Sequence, residues 1–237
     1  LEQAIRDIRR FVGENTQILC VMNGVESEKK VAAAYGWEHV LYSYMKIPVE
    51  LKNGADDFDP DGGYIAFGEE KNESLSERVL AVRELFDRCR IPYRIEKDMI
   101  LGLWQKFMSN IGENMTCALL GVPFKALADS EHGRALKKMG MKEVQAVAEK
   151  LGIHLTDEMI EMQMNRPITA PYNRPSTLQD LDAGKKTEID MFAGTVVRLG
   201  KELGVPTPVN EVFLHGIKVL EEKNEGKFKR DPEEKGC

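Results

Sequence analysis

Lys106, Asn110 and Asn114 recur every fourth residue within a single run from Trp104 to Thr116. On a helix of 3.6 residues per turn such a series drifts by only about 80°, so the three side chains leave one face. An ammonium flanked by two carboxamides can bind a carboxylate, polarise a carbonyl and donate a proton to the alkoxide that forms. Asn is a poor helix former, and two mid-helix copies beside a lysine need a reason. A solvated polar face carrying one cation accounts for the spacing equally well. A second series on the same helix, Trp104, Met108, Ile111, Met115 and Leu119, is an apolar stripe that should face a core. Leu103, Phe107 and Cys117 border or interleave with the polar stripe, and Gly112 lets another backbone come close. The lysine face therefore reads as the wall of a half-buried cleft.

Three further polar clusters carry candidate chemistry. Asn23-Gly24 ends an apolar run, the position at which α/β sheets place ligands; a structural turn explains an Asn-Gly pair as well. Asn173 and Ser176 lie in a stretch broken by Pro167, Pro171 and Pro175. They could bind a carboxylate from the loop, although turn formation is the commoner use of such residues. Glu188 follows Thr187 at a helix start, where a carboxylate also complements the helix dipole.

The elements that must position these residues change character near residue 97. Before it, strands alternate with helices. Leu1 to about Gly13 has a helical stripe, and Thr16–Met22 reads as a strand buried on both faces. A helix covers Lys29–Ala34, and strands cover Val40–Ile47 and Tyr64–Phe67. Val49–Lys52 reads as a hairpin arm before Asn53-Gly54, with Asp56–Pro60 as a loop. Ser74 is expected to cap a helix bearing Val79, Val82, Leu85 and Phe86, followed by a strand at Pro92–Ile95. From Asp98 the chain reads as helical. Asp129 or Ser130 caps a helix whose apolar face is Leu136, Met139, Met141, Val144, Val147 and Ala148, ending at Gly152. Further helices open at Thr156 or Asp157, at Thr187 (running to Leu203) and at Pro208 or Asn210, and a charged tail reads as frayed from Glu221. The fold class is an α/β N-terminal part followed by an all-α part, with domains at 1–97 and 98–226 and a charged tail at 227–237.

Composition bounds the function. The 237 residues are 42% hydrophobic and 30% charged, with a net charge of -6, which argues against a nucleic-acid or anionic-membrane partner. No apolar run reaches transmembrane length. Cys20, Cys89, Cys117 and Cys237 lack paired spacing and read as reduced thiols of a cytoplasmic protein. The histidines are scattered, and no metal site is expected.

Together the clusters resemble a family. Trp104, Lys106, Phe107, Asn110, Asn114 and Thr116 look like the signature helix of the ketopantoate reductases (2-dehydropantoate 2-reductases). The segment from Asn173 to Asp180, with Lys186–Asp190, resembles that family's second signature, and Met22–Val25 its strand-end Asn-Gly. The resemblance extends over nearly the whole chain, and it implies the back half of a Rossmann-type domain followed by a helical domain. It also implies NADPH-dependent reduction of ketopantoate to pantoate, in pantothenate and coenzyme A biosynthesis. By resemblance Lys106 is the general acid, and Asn110, Asn114, Asn173 and Ser176 bind substrate. Asn23 and Glu188 are then the cofactor-side residues. Two departures stand out. A further family Asn beyond the signature helix falls here near Pro123-Phe124, which leaves another small 2-oxo acid as an alternative substrate. The Gly-x-Gly-x-x-Gly turn expected at the family's start is absent, so residue 1 is expected to follow on the order of 60 residues of the family's opening, at ~30 per βαβ unit. The other alternative is a non-catalytic binding or dimerisation module. Sheet edges left open in such a partial domain predict aggregation or pairing with a second copy of the chain.

Overall fold

The computed structural model describes residues 1–47, 49–52, 55–58, 62–168 and 170–228. The chain divides into two compact units, Leu1–Trp104 and Gln105–Cys237.

The first unit is a small mixed sheet with helices on both faces. Strands β1 (Ile18–Leu19), β2 (Val40–Lys46), β5 (Tyr64–Gly68) and β6 (Tyr93–Arg94) lie in the order β1-β2-β5-β6. The β1–β2 and β5–β6 pairs are parallel and β2–β5 is antiparallel, with Tyr44 opposite Ala66. Side chains alternate across the sheet as the pleat requires. Leu41 and Phe67 point to one face and pack on Val79, Val82 and Phe86 of helix α3 (Glu77–Cys89). Val40, with Cys20 just beyond β1, packs on Val31 and Ala32 of helix α2 (Ser27–Tyr35), beside Leu1 and Ile5 from helix α1 (Glu2–Asp7). Tyr44 and Ala66 receive Met99 and Leu103, from the start of helix α4 (Met99–Asn110).

Several expectations need correction here. The strand expected over Thr16–Met22 contracts to two residues, since only β2 pairs with it among the described residues. The last strand contracts similarly, to Tyr93–Arg94. Ser76 rather than Ser74 caps α3, its hydroxyl accepting from the Val79 backbone. The hairpin arm is present as β3 (Val49–Lys52), but its partner β4 (Ala55–Phe58) occupies most of the acidic stretch read as a loop. Asn53, Gly54, Asp59 and Pro60 lie outside the described residues.

In the second unit every described element is helical. After α4 come a wide turn at Ile111–Met115, α5 (Thr116–Leu120), α6 (Phe124–Asp129), α7 (Glu131–Lys150) and α8 (Asp157–Met164). Then follow α9 (Ser176–Asp182), a second wide turn at Asp190–Gly194, α10 (Thr195–Leu203) and α11 (Pro208–Asn224). The caps follow local chemistry. Ser130 and Thr156 accept from Gly133 and Met159 at the starts of α7 and α8. Gly152 and Gly204, with φ of 75° and 68°, close α7 and α10 in the left-handed conformation that glycine tolerates. Pro208 opens α11, whose first free backbone N–H groups at Val209 and Asn210 donate to Glu143 of α7 at 2.8 and 2.9 Å.

Two helix assignments shift. Met139 of α7 is 52% exposed, whereas Lys137 is 6% exposed and takes a place in the buried face. Glu221 does not open a frayed tail, because α11 runs on to Asn224 and Glu221 is buried.

Candidate active site

The apolar stripe of the signature helix behaves as its spacing requires. Trp104, Met108, Ile111 and Met115 are buried, with Phe107 stacked on Phe192 at a ring separation of 6.2 Å. Lys106, Asn110 and Asn114 are all half-buried. They stand on the wall of the helix between the core and water, which excludes the fully solvated reading.

Spacing alone did not reveal the wide turn between Asn110 and Asn114. Ile111–Met115 forms a π-type turn with i→i+5 hydrogen bonding. Four α-helical residues overshoot a revolution by about 40°; the same four residues in the wider turn fall short of one. Asn114 is thereby swung back toward the line of Lys106 instead of drifting further from it. Gly112 permits this geometry, since a Cβ there would lie 2.6 Å from Met141 Cγ and 3.0 Å from the Lys137 carbonyl oxygen. Next in the turn is Glu113, 8% exposed, which accepts from Lys137 Nζ and from Arg166 Nη2 at 2.8 Å each. Lys137 also donates to the Gln163 carbonyl at 2.9 Å. Neither Glu113 nor Lys137 was picked out by motif spacing; a charged residue inside an apolar helical stripe was the available signal.

The proline-broken loop is tied to the start of α6. The carbonyl of Asn173 accepts from the Phe124 backbone at 3.2 Å, and that of Pro171 from Lys125 at 2.7 Å. Arg174 forms a two-pronged pair with Asp182 at 2.7 and 2.9 Å, closing the loop onto α9. Asn173 and Ser176 are exposed. Helix α9, which Ser176 begins, packs against both α5 and the wide turn that holds Asn114. Asp180 lies one turn after Ser176 and is half-buried. Burial, then the neighbouring charge of Glu188, raises its pKa against a smaller opposing effect of Lys185. Asp180 and Glu188 therefore share an environment, and Asp180 is a site candidate that sequence reading left inside a motif without a role.

Glu188, half-buried, lies two residues before the second wide turn and follows Thr187. Both the backbone and the hydroxyl of Thr187 donate to Glu221 at 2.7 Å. Lys218 pairs with Asp190 at 2.6 Å, and Asn224 donates to the Leu181 carbonyl at 2.7 Å. Three residues spaced along one face of α11 thus hold the strip between Asp180 and Asp190.

In the first unit, Asn23 is half-buried, beyond the last paired residue of β1. Gly24 beside it has φ of 93°, a conformation a side chain would strain. The strand-end placement matches the ligand-binding end of parallel strands. Lys106, Asn110, Asn114, Asn173, Ser176 and Glu188 all belong to the helical unit, whereas Asn23 belongs to the α/β unit. Among the described residues, no group of three or more His, Cys, Asp or Glu is placed to hold a metal ion. No described helix is long and apolar enough to cross a membrane.

Comparison with known proteins bears on this arrangement. Residues 98–221 match the C-terminal model of ketopantoate reductase PanE/ApbA, and residues 1–69 match the model of its other part. The 2-dehydropantoate 2-reductase of Aquifex aeolicus is 30% identical over 227 residues, covering 93% of this chain and 73% of that protein. Its counterpart in Streptococcus pyogenes is 28% identical over 210 residues, covering 88% and 68%. A PanE/ApbA family ketopantoate reductase from Ralstonia eutropha shares the fold, with a TM-score of 0.83 at 24% identity over 94% of this chain and 73% of that one. So does a D-mandelate dehydrogenase solved with NADH and anilino(oxo)acetate, with a TM-score of 0.83 at 21% identity over 94% and 74%. Relatives that are 2-dehydropantoate 2-reductases put the chain among enzymes of the oxidoreductase class. Within that class, the chain belongs to the ketopantoate reductase family.

Proposed function

We propose that this protein reduces a small 2-oxo acid to the 2-hydroxy acid, with ketopantoate as the substrate and NADPH as the reductant, a step of pantothenate and coenzyme A biosynthesis. The observation that carries the reading is the half-buried Lys106 face, aligned with Asn110 and Asn114 by the wide turn. Lys106 is the general acid: its ammonium stabilises negative charge growing on the carbonyl oxygen and then supplies the proton. Asn110 and Asn114 donate amide hydrogens to substrate oxygens from the same helix. Asn173, Ser176 and Asp180 take the substrate's polar groups from the loop and the start of α9. Asn23, at the strand end beside Gly24 with its φ of 93°, suits the cofactor, and Glu188 is the other cofactor-side residue. When bound, a reduced nicotinamide supplies the hydride.

A second reading keeps the reaction and changes the substrate. Phe124 is fastened through its backbone to Asn173, which places an aromatic residue beside the substrate loop and favours a 2-oxo acid with an apolar side chain. The test is oxidation of NADPH by the full chain, with NADH in parallel, on adding ketopantoate or phenylglyoxylate. Faster turnover of ketopantoate supports the first reading, and of phenylglyoxylate the second. Oxidation by neither, from folded protein, refutes both and leaves a binding or dimerisation module.

A further inference from the structure

Resting on the 2-oxo acid reading of the Lys106 face, we propose that Glu113, gripped by Lys137 and Arg166, is the positioning residue that sets Asn110 and Asn114 against Lys106. Wide i→i+5 turns occur mostly as single turns inside α-helices, often at functional sites. Such a turn persists only where its surroundings over-determine it. Here two contacts do so, and neither comes from the polar stripe. One is the approach of α7 to Gly112, whose missing Cβ leaves room for the Lys137 carbonyl and Met141. The other is the carboxylate of Glu113, three residues after Asn110 and one before Asn114, directed at two cations. Lys137 is itself anchored to the Gln163 carbonyl, and Gln163 accepts from Ser109 at 3.2 Å. The carboxylate thus joins the turn to α7, to the end of α8 and to the segment that follows it. Directional bonds at this point fix the rotation of the turn, which an apolar contact of equal size would leave free to slide. Glu113 touches no substrate in this assignment and acts through the two asparagines.

A structural ion pair that serves stability alone is the competing explanation, and two variants of the full chain separate them. Glu113→Gln keeps the shape and removes the charge. The double variant Glu113→Leu with Lys137→Met replaces the buried pair by apolar groups, a change that is often neutral or stabilising. Hydrogen exchange across residues 110–116 reads the turn, and steady-state kinetics read its consequence. In Glu113→Gln, protection of the turn amides is expected to fall by roughly tenfold while the middle of α7 stays protected. The KM for the 2-oxo acid is expected to rise roughly tenfold or more, since a displacement of about 1 Å costs on the order of 100-fold. The KM for the cofactor should stay within about twofold, because uniform binding elsewhere is untouched. The double variant is expected to recover the melting temperature without recovering the 2-oxo acid KM. Unchanged turn protection in Glu113→Gln overturns the assignment, as does a double variant that regains wild-type KM together with stability. A wild-type chain that turns over no 2-oxo acid defeats the reading of the site on its own, while the exchange comparison still decides whether Glu113 holds the turn.

Discussion

Lys106 carries the clearest consequence of the proposed chemistry. Replacing it by alanine removes an interaction that strengthens as charge develops, so kcat should fall by about 10²–10⁴ with a smaller effect on cofactor binding. Steady-state kinetics check this, and retained turnover within about tenfold rules out Lys106 as the proton donor. Asp180 tests the shared acidic environment through pH. Burial and the charge of Glu188 raise its folded pKa, so its favourable contribution is fully present below the unfolded value, about 3.9. That contribution is lost as pH rises through the raised folded value. Asp180→Asn should therefore match the wild type in melting temperature near pH 4 and exceed it increasingly toward neutral pH. The cysteines give a third check. Burial, reinforced by Glu113 beside Cys117 and by Glu28 beside Cys20, pushes both thiols up to about 12. Few thiolates form at neutral pH. Alkylation of the native protein, mapped by mass spectrometry, should reach the exposed Cys89 and leave Cys20 and Cys117 unmodified.

At the scale of elements, glycines and the last helix decide how the helical unit closes. A Cβ on Gly140 of α7 would lie 2.8 Å from Phe213 Cε2, and Phe213 is fully buried with nowhere to retreat. Gly140→Ala should destabilise by about 1–3 kcal/mol in urea unfolding, the usual cost of overpacking. Glu221 of α11 holds the strip that carries Glu188. Burial alone would raise its pKa, but the two Thr187 donors and Lys218 outweigh burial and keep the carboxyl below the ordinary range. Its stabilisation is present above the unfolded value, about 4.3, and is lost as pH falls through the lower folded one. Glu221→Ala should cost on the order of 2–3 kcal/mol at pH 7, as expected for hydrogen bonds to a charged group. The same substitution should weaken cofactor affinity if Glu188 contacts the cofactor, which fluorescence titration with NADPH measures. The wide turns at Ile111–Met115 and Asp190–Gly194, which touch one another, escape any reading of hydrophobic period. Their residues are ordinary in an α-helix, and only the close approach of neighbouring helices selects the longer hydrogen bonds.

Across the whole molecule the chain divides into two compact units, with the sheet clusters in the first and only helical elements among the described residues of the second. A fragment from Gln105 to Phe228 should melt cooperatively by circular dichroism, because it makes up one of the two compact units of the chain. The sequence by itself determined the change from α/β to helical structure, the apolar stripe of the signature helix and the common face of Lys106, Asn110 and Asn114. Those follow from periodicity and side-chain chemistry, which are local. It also supplied the resemblance that the family matches support. Tertiary structure alone decided four other features: the short β1, the strand made by the acidic stretch, the buried places of Lys137 and Glu221, and the wide turn between Asn110 and Asn114. Strand length depends on which neighbours pair with it. A charge enters a core only where a distant partner meets it, as Glu113 meets Lys137 and Thr187 meets Glu221. Those partners lie 24 and 34 residues apart, beyond the reach of any helical or strand period.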